Sequence, residues 1–470
     1  MKISFHGAAR TVTGSKHIIQ FSSGKKVLLD CGMFQGMGKE TLTLNSQWGF
    51  DPLELDYVII SHAHIDHVGL LPKLVKEGYN GKIFCTTQTA DLAQILLLDS
   101  AHIQESDIEH VNRLREKEGR ELVKPLYTIE DADKVFPLFH PIDYHTPFKI
   151  DDDIELLYTD VGHIVGSAAV NLKLRENGKE VRLTFSGDVG RYNDMLLKSP
   201  ETFPQADYII IESTYGDKLH DIILPAADQL LKFIQHTCIE KRGNLIIPAF
   251  SVGRTQEILF LLNRLELEHR LPKLKYFVDS PLSTEATELT KHHPECFNKD
   301  VSELLKKDND VFAFEGLHYT KSADESIGLK DLKEPCVIIS ASGMAEAGRV
   351  KHHIVNNINS PNNTILIVGY CEPASLGGRL RSGAKQVSIY GSHYDVNAQV
   401  GVIESLSAHG DYEDLSQWLA CQDPREVHKL FIVHGEYEVQ VNFRERLLKK
   451  GFTDVEIPSL HQEIGLGNFD

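Results

Sequence analysis

Tyr57-Val58-Ile59-Ile60-Ser61-His62-Ala63-His64-Ile65-Asp66-His67 packs three imidazoles and a carboxylate into its last six positions, directly after an apolar run. Histidine and aspartate this close together cost stability unless something binds them. Borderline metals such as zinc take this mixture of nitrogen and oxygen ligands. The hexad therefore reads as half of a metal site. The competing reading is a polar turn with extra histidines, in a chain that holds 23 of them; spacing and context speak against it.

The other half is sought where further apolar runs stop at an acid or a histidine. Lys26-Val27-Leu28-Leu29 ends at Asp30, and Ile154 to Thr159 leads through Asp160-Val161-Gly162 to His163. Val181 to Ser186 ends at Gly187-Asp188, Tyr208 to Ile211 at Glu212, and Leu430 to Val433 at His434. Any one of these acids could simply terminate a strand. Together they place ligands distant in sequence at one sheet edge, where they can build a polynuclear site. Helical segments at Gly69 to Glu77 and Thr89 to Leu114 separate the strands, giving an α/β protein with sheet and helix layers.

A chain of 470 residues is too long for one ordinary core, so two domains are expected. Hydrophobic residues make up 41% and charged residues 25%, and no apolar stretch is long enough to span a bilayer. The N-terminus lacks the apolar centre of a signal peptide, so the cytoplasm is the expected compartment, with no membrane partner. Seven cysteines are scattered without close pairs, which suits reduced thiols. A formal charge of −18 argues against binding nucleic acid through a broad basic field, so any such contact is expected to be local.

The stretch from about Thr214 to Tyr394 carries its own alternation and reads as an insert packed against the first unit. A helix near Ile222 to Lys241 leads to a strand at Asn244-Leu245-Ile246-Ile247, a turn at Pro248 to Arg254 and a helix from Thr255 to Leu265. Compact apolar strands follow at Leu274 to Val278, Cys336 to Ser340 and Thr364 to Gly369. The expected domains are 1–213, an inserted 214–394, and 395–470 completing the first.

The cluster His-x-His-x-Asp-His, with Asp30 before it and His163 and Asp188 after it, resembles the metallo-β-lactamase fold, an αβ/βα sandwich with metals at one edge. Glu212 in Ile211-Glu212-Ser213-Thr214-Tyr215-Gly216 looks like motif A of the β-CASP family, His409 in Ser407-Ala408-His409-Gly410-Asp411 like motif B, and His434 in Val433-His434-Gly435-Glu436 like motif C. The insert matches through Pro248 to Glu257 (PAFSVGRTQE), Asp279-Ser280-Pro281 and Ser340 to Arg349 (SASGMAEAGR). The resemblance covers essentially the whole chain. It implies a metallo-β-lactamase sandwich with an inserted α/β β-CASP domain. A histidine at motif C is the mark of the RNA-processing branch, and without flanking domains the best match is a compact bacterial member similar to the cleavage-and-polyadenylation endonuclease.

Carried over residue by residue, the resemblance implies that His62, His64 and His163 hold one zinc and Asp66, His67 and His434 the other, with Asp188 bridging. Asp66 would also orient the attacking hydroxide, and Glu212 with His409 would act as the catalytic acid. Asp30 is expected to fix the tautomer of a ligand imidazole. Ser251, Arg254 and Ser342 are candidate substrate contacts, with Arg349, Arg379, Arg381 and Lys385 as a local basic path; His292-His293 and His352-His353 are read as non-ligands. The function implied is a two-zinc phosphodiesterase cutting single-stranded RNA, endonucleolytically or from the 5′ end, in the cleft between the two units, with a homodimer as an oligomeric option. The alternatives are a small-molecule metallo-hydrolase (a lactonase or thioesterase) and a noncatalytic RNA-binding subunit.

Overall fold

The computed structural model describes residues 1–220, 226–369, 371–404 and 407–467, without the side chains of residues 110 and 114. The chain forms two compact units, Met1–Leu219 with His409–Asp470, and His220–Ala408. The first is built on two seven-stranded sheets. One runs Glu463–Gly465, Lys2–Phe5, His17–Gln20, Lys26–Leu29, Tyr57–Ile59, Lys82–Cys85, Phe139–Pro141; the other runs Val455–Glu456, Lys429–Ile432, Tyr208–Ile211, Lys179–Phe185, Ala168–Glu176, Ile154–Asp160, Phe148–Lys149.

Runs such as Val27-Leu28-Leu29, Val58-Ile59 and Ile209-Ile210-Ile211 are apolar because both faces of these strands are covered. In the first sheet Val27, Leu29, Ile59 and Phe84 point inward to meet Leu156, Val170, Phe185 and Phe431 of the second. Their neighbours Leu28, Val58, Ile60 and Ile83 point outward against Leu71, Leu74 and Leu97. On the far side Ile209, Ile211, Leu430 and Ile432 pack against Leu415, Trp418, Phe443 and Leu447. Helix, sheet, sheet, helix is the αβ/βα sandwich expected from the sequence. The helix expected over Thr89 to Leu114 runs Thr87–Lys117. Among the described residues no helix is long and apolar enough to cross a membrane.

The second unit is a six-stranded, all-parallel sheet in the order Leu317–Tyr319, Lys275–Val278, Cys336–Ser340, Leu245–Pro248, Thr364–Val368, Gln399–Ile403. Its central strands are buried, and on one face Ile246, Ile338, Ile365 and Ile367 pack with Val350, Ile354 and Leu380. The helix expected from Ile222 begins in residues 221–225, which lie outside the described residues; from Ala226 it runs as Ala226–Ile234 and continues in a wider π-helical turn, Gln235–Glu240. The expected return to the first unit at residue 395 is corrected to His409. Gln399–Ile403 pairs in parallel with Thr364–Val368 as an edge strand of the second sheet. That strand alternates exposed and covered positions, so its apolar content is too thin to be read from sequence.

Phe431 is fully buried between the two sheets, with its ring 5.2 Å from that of Phe5. Phe431→Ala leaves a cavity there and is expected to lower stability by about 3–5 kcal/mol, read from the midpoint of urea unfolding at unchanged slope.

Candidate metal centre

The strand Tyr57–Ile59 delivers the histidine cluster, and His64 stands at the start of a single helical turn, Ile65–Val68. Two loops clamp that turn through Ser15 N–H to the Asp66 carbonyl and Cys31 N–H to the His67 carbonyl, at 2.8 and 2.7 Å. Gly32 permits this approach: a Cβ there would sit 1.6 Å from the Asp66 carbonyl oxygen. His163, Asp188 and His434 arrive from three other strand ends of the same unit. Gly162 and Gly187, just before His163 and Asp188, have φ of +63° and +56°, and His434 itself has φ of +50°. These left-handed residues turn each chain sharply so that its ligand side chain points back over the sheet edge.

The donor atoms meet at two points. His64 Nδ1 lies 3.2 Å from both His62 Nε2 and His163 Nε2, and Asp188 Oδ2 lies 3.4 and 3.6 Å from those two Nε2 atoms. Beside this group, His434 Nε2 is 3.3 Å from both His67 Nε2 and Asp66 Oδ2, and His67 Nε2 is 3.3 Å from the same Asp188 Oδ2. Ligands about 2.0–2.1 Å from a tetrahedral zinc stand roughly 3.3–3.4 Å apart, so the first group's separations suit the edges of a tetrahedron that includes Asp188, while the second group is wider, with His67 Nε2 4.0 Å from Asp66 Oδ2. The shared carboxylate supplies a further sign: Asp188 Oδ1 is buried and accepts no hydrogen bond from the described residues. This donor set fits two divalent cations.

The local charge has the same sense. Burial opposes charge on His67, yet Asp188 and Asp30 together raise its pKa well above the ordinary histidine range. The carboxylates thus draw positive charge to that position, and a bound cation can supply it with release of the proton. Burial outweighs the nearby acids at His62 and His64, which are pushed down to about 3 and about 4 and so present neutral nitrogens. Neutral imidazole is the form that ligates.

His409 stands apart from both donor groups in its hydrogen bonding. Its Nδ1 lies 3.0 Å from Glu212 Oε1, and its ring centroid is 4.5 Å from that of His163. Glu212 is fully buried and is also held by Val189 N–H at 2.7 Å and Thr214 N–H at 3.1 Å. The backbone is anchored by Gly410 N–H to the Val189 carbonyl at 2.7 Å, and Asp411 caps the helix Tyr412–Leu419 in a capping box with Asp414. Burial lowers the His409 pKa, but the Glu212 charge and hydrogen bond, with Asp188 and Asp66, outweigh it and raise it to about 9.

Asp30 Oδ2 accepts from His67 Nδ1 at 2.6 Å. The three candidate substrate contacts lie in the second unit. Ser251 Oγ is 3.4 Å from Ser280 Oγ, and Ser342 Oγ is 3.3 Å from the Ala347 carbonyl. Arg254 is buried and pairs with Glu257 one turn along its own helix, so its charge is already met within the unit. Arg349 pairs with Asp279 and Arg381 with Glu404, while Arg379 and Lys385 are exposed. His353 is no member of the donor clusters; it binds Asp279. Sequence reasoning missed Ser15, Ser61 and Thr214, whose hydroxyls touch Asp30, His62 and His434. Serine and threonine are too common at strand ends to signal such a role from sequence.

A two-sheet sandwich with this histidine and aspartate cluster at its strand ends defines a metallo-hydrolase of the lactamase type. Residues 17–231 match the metallo-beta-lactamase superfamily, residues 255–380 the Beta-Casp domain, and residues 393–458 the Zn-dependent metallo-hydrolase RNA specificity domain. The chain is 32% identical to "Ribonuclease TTHA0252" of Thermus thermophilus over 469 residues, covering 100% of this chain and 99% of that protein. It is 30% identical to an "RNase J-like protein" of Methanocaldococcus jannaschii, covering 95% of each. It is also 30% identical to "Transcription termination factor FttA" of Methanosarcina mazei, over 90% of this chain and 65% of that one. The chain belongs to the β-CASP family of the metallo-β-lactamase superfamily, and so to the metal-dependent hydrolases.

The His409 pair is open to direct measurement. A folded-state pKa of about 9 against 6.5 means the pair stabilises the fold fully below pH 6.5 and ceases to do so as pH rises through about 9. In the metal-free protein, an NMR titration of the His409 ring is expected to show a midpoint near 9. In Glu212→Gln, where burial is no longer opposed by that charge, the midpoint falls by more than one unit.

Proposed function

We propose that this chain is a two-zinc phosphodiesterase that cleaves single-stranded RNA. The observation that carries the proposal is the Glu212 and His409 pair beside a double donor cluster. A cluster alone suits many hydrolases; an imidazolium held at its edge suits a reaction whose leaving oxygen needs a proton. The choice of RNA is supported by the match to an RNA specificity domain over residues 393–458 and by relatives named as ribonucleases.

In this reading His62, His64 and His163 would hold one zinc and Asp66, His67 and His434 the other, with Asp188 shared between them. Bound there, the metals would polarise the scissile phosphate and lower the pKa of the attacking water. Asp66, with its carboxylate 17% exposed, would orient the attacking hydroxide as well as ligate. Glu212 holds the Nδ1 proton of His409, which leaves the Nε2 proton for the departing ribose oxygen. Val189 and Thr214 N–H groups hold the Glu212 carboxylate in place beside His409. Ser251, Arg254 and Ser342 are retained as RNA contacts of the second unit. The seven thiols, none of them in a disulfide, accord with a cytoplasmic enzyme.

The test is zinc-loaded protein with labelled single-stranded RNA, the matched DNA and a generic lactone, alongside His67→Ala. RNA cleavage that His67→Ala abolishes is the expected result; cleavage untouched by that change sinks the two-metal reading, and lactone turnover without RNA cleavage replaces it with a small-molecule hydrolase. For the acid, His409→Ala is expected to lower kcat by about 10²–10⁴ at unchanged zinc content, with zinc measured by atomic emission. Sedimentation of the same preparation reads the oligomeric state, for which a homodimer is one option.

A further inference from the structure

Ser61 stands between Asp30 and the first histidine of the cluster. Its Oγ is 3.0 Å from Asp30 Oδ2 and 3.0 Å from His62 Nδ1. Asp30 Oδ2 also accepts from Ser15 Oγ at 3.2 Å and from His67 Nδ1 at 2.6 Å, while Oδ1 accepts from Ser61 N–H at 2.8 Å. The proton positions follow from chemistry. A carboxylate only accepts, so the single hydroxyl proton of Ser61 lies toward Asp30. The Ser61 oxygen then offers a lone pair to His62, and Nδ1 of His62 must be the donor. Nε2 of His62, which faces the first donor group, is left with its lone pair free for a metal. Asp30 does the same directly for His67, which faces the second group.

We propose that Ser61 is a positioning residue that extends the reach of Asp30 to both metal sites. One carboxylate sets the tautomer of His67 by contact and that of His62 through the Ser61 hydroxyl. The inference rests on the two-metal reading above and deepens it, because it makes the two sites share one orienting group. The surroundings leave the hydroxyl little choice. Gly187, next to the bridging Asp188, packs directly on Ser61, and a Cβ there would lie 2.6 Å from Ser61 Cβ and 2.8 Å from Oγ. Ser61 is itself fully buried, so water does not compete for its oxygen.

The serine and its neighbours give a selective test. Ser61→Ala keeps the backbone hydrogen bond to Asp30 Oδ1 and removes both hydrogen bonds of the hydroxyl, to Asp30 Oδ2 and to His62 Nδ1. Ser15→Ala removes another donor to the same Asp30 oxygen without touching any imidazole, and so measures a merely structural loss. Zinc affinities are measured by competition with a chromophoric chelator, starting from metal-stripped full-length protein, with circular dichroism as a check on folding. Wild type is expected to bind two zinc ions. Ser61→Ala is expected to weaken one of them about 10–100-fold and leave the other within about threefold, Asp30→Asn to weaken both, and Ser15→Ala to weaken neither by more than about threefold. Two unchanged affinities in Ser61→Ala overturn this proposal alone, as does equal weakening of both sites by Ser61→Ala and Ser15→Ala. Wild-type protein that binds a single zinc overturns the two-metal reading and this proposal with it.

Discussion

Burying carboxylates at the ends of strands is the constraint on which the rest of the first unit depends. Asp30, Asp188 and Glu212 are all withdrawn from water, and a buried carboxylate is costly unless its oxygens are met. The chain meets the three in different ways. Asp30 collects hydrogen bonds from a backbone amide, two serines and an imidazole. Glu212 collects two backbone amides and an imidazole. Asp188 is ringed by imidazole nitrogens, and its Oδ1 accepts no hydrogen bond from the described residues. That difference separates a carboxylate suited to a cation from two that organise their neighbours.

The histidines divide along the same line. His62, His64 and His163 offer neutral nitrogens at metal-ligand spacing, whereas His409 is turned to Glu212 and holds a proton. Both behaviours come from one residue type within a few ångströms, because desolvation favours the neutral ring and an adjacent buried carboxylate favours the charged one. A site that must both ligate and protonate needs these two environments side by side, and the ends of neighbouring parallel strands supply them.

Much of this was legible in the chain itself. Asp30, His163, Asp188, Glu212 and His434 each follow an apolar run, and a run buried on both faces is visible without a structure. The boundary of the second unit was less visible, since Gln399–Ile403 is a half-exposed edge strand. The environment of Arg254 was not visible either. A helix-start arginine suggests an anion site, but its guanidinium is taken by Glu257 three residues on. Ser61 escaped notice because a hydroxyl gains meaning only from what lies on either side of it.

The sequence by itself determined which atoms were available for ligation and that strands would carry them to one edge. Side-chain chemistry and the placement of apolar runs are local properties of the chain. Only the tertiary structure decided which carboxylate would be filled by hydrogen bonds, which would face a cluster of nitrogens, and which nitrogen of each imidazole would face inward. Those outcomes depend on neighbours brought from far along the chain, such as His434 against Asp66 and His409 against Glu212. A proton or a lone pair is assigned by its nearest partner, and the fold chooses the partner.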